Sequence, residues 1–260
     1  MSRRVAVPLA AGVAVTLMVA PVAGLLQRAP WSRIGSELAR TEARQALWLS
    51  LGCSLGALAV AVALGLPLAW VLARVEFPGR ALVRALVTLP MVLPPVVGGV
   101  GLLAAFGRRG LVGAHLGSLP GFPLPFTVQG VVLAQSFVAM PFLVVAVEAG
   151  LRQLDGRYED AAATLGAHPW RRFRTVTVPL IAPSLLAGAA LAWARALCEF
   201  GATITFAGSL PGRTRTLPTA IYAGLQSRPD SAAALSVVLL AVSLTVLVAL
   251  RGRWLGAGGR

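Results

Sequence analysis

The chain has 260 residues, 57% of them hydrophobic and only 12% charged, with a formal net charge of +14. A soluble domain is about 45–50% apolar. Here the apolar residues fall in long, nearly uncharged runs, which excludes an ordinary soluble domain and predicts an all-α membrane protein. Every basic side chain is arginine. Without lysine the chain can neither bind ATP through a P-loop nor form a Schiff base.

Six apolar segments, Val5–Leu26, Ala46–Leu72, Leu82–Phe106, Val128–Leu151, Val176–Phe200 and Ala232–Leu250, each approach or exceed the roughly 20 residues that cross a bilayer. About six transmembrane helices are therefore expected. The first follows Arg3 and Arg4, and its apolar region is longer than the roughly 7–15 residues of a signal peptide, so it reads as a retained helix. Cys53, in the second, and Cys198, in the fifth, lack paired spacing and read as small buried hydrophobes. The third carries Pro90, Pro94 and Pro95, then Gly98, Gly99 and Gly101. Proline removes a backbone donor and kinks a helix, and broken backbone at membrane depth is tolerated only inside protein or along a cavity. A structural kink and a pathway-lining broken helix both fit. The loop that follows holds Arg108 and Arg109 between glycines.

After the fourth segment comes YEDAAATLGAHPWRRFRTVTVPLIAP, residues 158–183. Asp155 is placed to cap a helix from about Gly156 to Leu165, with Glu159 and Asp160 suiting its dipole. Gly166 fits a C-terminal stop, and Pro169 the first turn of a second helix bearing Trp170 and Phe173. Ala161, Ala162 and Ala163 leave the first helix small enough for another surface to approach its backbone. Two readings fit: an interfacial helix with its arginines toward anionic lipid, or a docking knob for a cytoplasmic partner.

The fifth segment carries Arg195 and Glu199, four residues apart. An intramembrane charge costs roughly 2.5–3.5 kcal/mol at mid-bilayer, and pairing within the helix lowers that cost. The pair is either a structural bridge near the outer interface or the mouth of an anion path. The loop beyond it, Gly208–Pro218, holds Arg213 and Arg215. With the N-terminus inside, thirteen arginines fall on the inner side and nine on the outer, Arg195 lying within a span. This bias puts residues 155–174 in the cytoplasm. Arginines confined to short loops in this way report topology, and no nucleic-acid partner is expected. His115 and His168 have no metal-ligand spacing and read as loop or helix-start residues. Neither lies in a span, so an intramembrane enzyme would have only Arg195, Glu199 and Glu148 to work with. A passive channel is the other rival, and it would need no ATPase.

Asp160-Ala161-Ala162, three residues, Gly166, nine residues and Val176-Thr-Val-Pro179 resemble the EAA loop of ABC importer permeases. That loop reads Glu-Ala-Ala, three residues, Gly, nine residues, Ile-x-Leu-Pro. The spacing is the same, with Asp for Glu and Val/Val for Ile/Leu. In that family the loop is a coupling helix seated in a cleft on the ATPase subunit. The resemblance therefore implies a type I importer permease fold, with a cytoplasmic coupling helix between spans four and five. It also implies that Tyr158, Glu159, Asp160, Ala161, Ala162, Gly166 and Trp170 are ATPase-coupling residues. Residues 46–260 are then the permease core, with the EAA loop at about 158–179, and residues 1–45 an additional N-terminal helix and external loop.

Phe77–Gly113 and Glu199–Tyr222 resemble the molybdate/tungstate branch, with sulfate permeases close by. The Gly-Ala-Thr-Ile-Thr-Phe-Ala-Gly run from Gly201 and the Arg-Thr-Leu-Pro ending at Pro218 favour molybdate or tungstate. Pro94, Pro95, Gly98, Gly99, Arg195, Glu199 and Thr203 are the pathway or gate candidates. Arg108, Arg109, Arg213 and Arg215 are candidates for docking an extracytoplasmic oxyanion-binding protein and for steering the anion. The resemblance implies a multi-pass bacterial plasma-membrane protein, acting as a homodimer with two copies of a cytoplasmic ABC ATPase. That partner would bind ATP and magnesium. No catalytic residue, metal or cofactor is expected in this chain, and it is not expected to be an enzyme by itself.

Overall fold

The structure, a computed structural model, describes residues 3–116 and 122–254. Every regular element among them is helical. In order they are α1 (Arg3–Arg28), α2 (Ile34–Ala39), α3 (Thr41–Arg74), α4 (Arg80–Val92), α5 (Pro95–Phe106), α6 (Gly113–Leu116), α7 (Val128–Gln153), α8 (Arg157–Thr164), α9 (Pro169–Arg172), a π-helical turn (Phe173–Thr177), α10 (Val178–Leu197), α11 (Gly201–Phe206), α12 (Leu217–Ser227) and α13 (Pro229–Trp254). Among the described residues, five helical stretches are long and apolar enough to cross a membrane: Val7–Arg28, Thr41–Arg74, Val128–Gln153, Pro169–Leu197 and Pro229–Val246.

The expected third span is not one helix. α4 stops at Val92 and α5 restarts at Pro95, with Leu93 and Pro94 extended between them at ψ 131° and 129°. Each of these two residues precedes a proline, whose Cδ disfavours the helical region for the residue before it. Two consecutive pre-proline positions therefore break the helix where one proline would only bend it. Pro90, within α4, does not end it. The fifth apolar segment was expected to run to Phe200, but its helix ends at Leu197. The chain turns through Cys198–Phe200 and resumes as α11. Cys198 sits at that turn and is exposed, whereas Cys53 is buried as expected.

The core is a close bundle of α3, α7 and α10. Ala57, Ala61, Ala69, Leu72, Leu143, Val147, Leu151, Ile181, Ala192 and Ala196 are among its buried residues. Between spans, lipid is as apolar as a neighbouring helix, so association relies on close packing of small residues. Gly188 illustrates this, because a Cβ there would stand 2.8 Å from Ala146 Cβ. α5 packs on α11 in the same manner. A Cβ on Gly99 would meet Thr205 Cβ at 2.6 Å, and one on Gly201 would meet Pro95 Cβ at 2.8 Å. Thr127 caps α7, its hydroxyl accepting the Gly130 N–H at 3.0 Å. α12 is tied to α3 by the Leu217 N–H, which donates to Ser50 Oγ at 2.6 Å. α1 contacts only the last helix, α13, among the larger helix pairs, and no residue from Val7 to Arg28 is buried.

Candidate functional site

Residues 155–177 form a compact projection at the end of the bundle where α3 stops. The first helix is slightly shorter than expected, Arg157–Thr164, with Gly156 in the N-cap position. Asp155 still serves its start, because its Oδ1 accepts the Arg157 N–H at 3.0 Å. The helix closes as the glycine predicted. Gly166 has φ 80°, its N–H donates to Ala163 O at 2.9 Å, and the Ala167 N–H donates to Ala162 O at 3.0 Å. These two bonds define a Schellman stop, which needs the left-handed conformation at Gly166. His168 caps α9, with Pro169 in its first turn. Trp170 and Phe173 stack with ring centroids 5.7 Å apart.

Glu159 fixes this projection to two spans at once. Its Oε2 lies 3.0 Å from Arg74 Nη2, at the end of α3. Its Oε1 accepts the hydroxyl of Thr177, at the head of α10, at 2.6 Å. The projection leaves large apolar side chains uncovered. Tyr158 is 58% exposed, Trp170 66% and Leu165 87%. Leu165 was not among the sequence candidates. An uncovered group of large apolar side chains on a polar segment marks an interaction surface.

A second charged knot lies close by. Glu148 is buried on α7, and its Oε1 accepts from Arg84 of α4 at 2.6 Å and from Arg152 at 3.0 Å. The Glu148–Arg152 spacing of four was legible as a helix pair. The Arg84 partner, 64 residues away, was not.

Arg195 and Glu199 do meet, Arg195 Nη1 lying 2.7 Å from Glu199 Oε2, although Glu199 is past the end of α10. The other carboxylate oxygen accepts the Ala202 N–H at 2.8 Å and so caps the start of α11. Oε2 has no partner in hydrogen-bond alignment, so the contact with Arg195 is an ion pair by distance rather than an aligned hydrogen bond. Glu199 and Thr203 are fully buried in this chain, and Gly98 and Gly99 are buried on α5. Pro94 and Pro95 form the helix break itself. The hydroxyl of Thr203 and both amide atoms of Gln135 are buried without a protein partner. Thr203 belongs to α11 and Gln135 to α7, two helices in contact. Gln135 escaped the sequence reading because a single amide in an apolar run carries no spacing signal.

Of the other arginine candidates, Arg108, Arg109 and Arg213 are exposed. Arg215 is half-buried, its Nε donating to Ser209 Oγ at 3.2 Å, which helps hold its own loop.

Comparison with known proteins fits this architecture. Residues 61–256 match the family described as "Binding-protein-dependent transport system inner membrane component". The chain is 43% identical over 253 residues to "Molybdenum transport system permease protein ModB" of Mycobacterium tuberculosis, covering 96% of this chain and 94% of that one. It is 42% identical over 211 residues to the protein of the same name from Escherichia coli, covering 81% and 92%. A "Probable sulfate transport system permease protein" of Nephroselmis olivacea is 35% identical over 247 residues, covering 94% and 86%. A chain in the crystal structure of a bacterial ABC transporter that imports the acidic polysaccharide alginate superposes with a TM-score of 0.74, covering 96% and 95%. At 17% identity, that likeness concerns the fold. Its helical spans, its structural match and a family model spanning most of its length agree: the chain belongs to the binding-protein-dependent transport system inner membrane components, the permease subunits of ABC importers.

Proposed function

We propose that this permease moves molybdate, or the closely similar tungstate, across the bacterial inner membrane, driven by a separate ATPase that grips residues 157–173. It works as a homodimer with two ATPase subunits, and an extracytoplasmic binding protein delivers the anion. The observation that carries the coupling reading is the projection itself. Its uncovered Tyr158 and Leu165 are open to a partner, while Glu159 ties it to both α3 and α10. A push on α8 reaches two spans through one carboxylate, which suits a lever better than a helix resting on headgroups. ATP and magnesium belong to the partner, since this chain has no lysine with which to build a P-loop. The molybdate reading rests on relatives of that name, which are more similar to this chain than the sulfate relatives over comparable coverage.

Sulfate is the second reading, favoured by those sulfate relatives. Labelled molybdate uptake should be restored when this chain and its neighbouring ATPase and binding-protein genes are expressed in cells lacking their own molybdate permease. A large excess of tungstate should suppress that uptake and the same excess of sulfate should not. Suppression by sulfate, with sulfate itself accumulating, overturns the molybdate assignment and leaves the permease reading in place.

A further inference from the structure

A groove of about 940 Å³ opens between α3 and the α8–α9 projection, near the upper end of the range for small-molecule sites. Its wall on α3 runs from Val62 through Leu66 and Trp70 to Arg74. At 1.5 Å per residue, those twelve steps span about 18 Å. That length is comparable to the about 15 Å of one leaflet of a ~30 Å hydrocarbon core. Its composition changes over that length. The deep part is aliphatic, and tryptophans stand nearer the mouth: Trp70 is 40% exposed and Trp170 66%. The mouth is charged. Arg74 is already paired with Glu159. Arg172 lines the groove, and its Nε is buried with no protein partner. The lining acid left over is Asp160, and no ion pair joins it to Arg172 among the described residues. The lining charges are thus two arginines and two acids, and the exposed Arg171 and Arg174, which flank Arg172 in the chain outside the lining, add positive charge beside the mouth.

From these features we infer that the groove seats one anionic phospholipid, with an acyl chain along Val62–Trp70 and the headgroup phosphate against Arg172. Arg172 has no carboxylate partner among the described residues, and with Nε enclosed by protein its outer guanidinium nitrogens are the donors that a phosphate would take. An apolar slot one leaflet deep with a cation at its mouth has the form of an acyl chain under a phosphate, and basic pockets of this kind bind anionic headgroups. A polar loop of a soluble subunit does not fit, because its backbone would go unsatisfied at that depth. The inference concerns a lipid seat beside the projection and stands whatever anion is transported.

The test uses the full chain purified in mild detergent, alone and with its ATPase. Native mass spectrometry counts retained lipid after exchange into mixtures of phosphatidylglycerol and phosphatidylcholine. Wild type should retain phosphatidylglycerol preferentially, by about five-fold, the scale of one arginine–headgroup attraction. Arg172→Gln should abolish the preference, and Arg172→Lys should keep most of it. Ala63→Phe, which fills the slot from an exposed position on α3, should lower retention of both lipids. Arg44→Gln, exposed at the opposite end of α3, should leave lipid retention unchanged. Equal retention of the two lipids by wild type overturns the proposal even if every variant misfolds. So does loss of the bound lipid when the ATPase binds, which would assign the groove to that subunit. Disulfide capture of Ala63→Cys by a second copy of the chain would assign it to the dimer.

Discussion

Arg195 and Glu199 show how one ion pair can hold a turn together. The guanidinium meets Oε2 while Oε1 caps α11, so the carboxylate joins the end of one helix to the start of the next. Glu199 is buried and the Arg195 side chain is 29% exposed, which sets the pair between a surface bridge, about 0–1 kcal/mol, and a buried one, about 3–5 kcal/mol when broken from one side. Either neutralisation, Arg195→Gln or Glu199→Gln, should lower the amount of folded membrane protein, and the double substitution should recover most of it. Glu199→Ala should be worse than Glu199→Gln, because the amide keeps an oxygen for the Ala202 N–H. Protein level and molybdate uptake measured across this cycle separate the two roles. Normal levels throughout, with uptake lost wherever Arg195 is changed, would make the arginine an anion guide and not a bridge.

At the scale of an element, the α8–Gly166–α9 turn separates backbone strain from docking. A Cβ at Gly166 would meet nothing within 4 Å in this chain. Alanine and leucine therefore face the same left-handed penalty, about 1–2 kcal/mol, and differ only in what they present outward. Asparagine tolerates that conformation better. If the projection docks into a cleft, Gly166→Leu should lose ATPase copurification and uptake together, Gly166→Ala should keep much of both, and Gly166→Asn should be the mildest. Equal losses for alanine and leucine would mean that the turn acts only through its own geometry. The break between α4 and α5 is an element-scale fact of another kind. Pro94 and Pro95 were legible as helix breakers, but whether they bend or sever a span depends on the backbone of two successive residues.

For the whole molecule, orientation is the quantity that arginine counting expresses and the helices by themselves do not. Cysteines placed singly at exposed positions Arg157 and Leu165, in a background lacking both native cysteines, should resist an impermeant thiol reagent in intact cells and react after permeabilisation. One at Arg109 should react in intact cells. Removing Cys198 matters here, because it is exposed at the α10–α11 turn and would add a background signal. Ready labelling at Arg157 from outside would invert the topology, and the coupling reading would fall with it.

The sequence by itself determined that this is a polytopic helical membrane protein and where most of its spans lie, because hydropathy over about 20 residues is a local property. It also determined the coupling-like turn, whose glycine stop and proline start are local backbone chemistry. Thirteen against nine arginines suggested an orientation. Only the tertiary structure decided which charges meet over long separations: Arg84 with Glu148, and Arg74 with Glu159. The same holds for the glycines that serve α5–α11 contact and for the groove between α3 and α9. Those features depend on which faces of distant segments are brought together, and nothing in the spacing of residues along one segment encodes its neighbour.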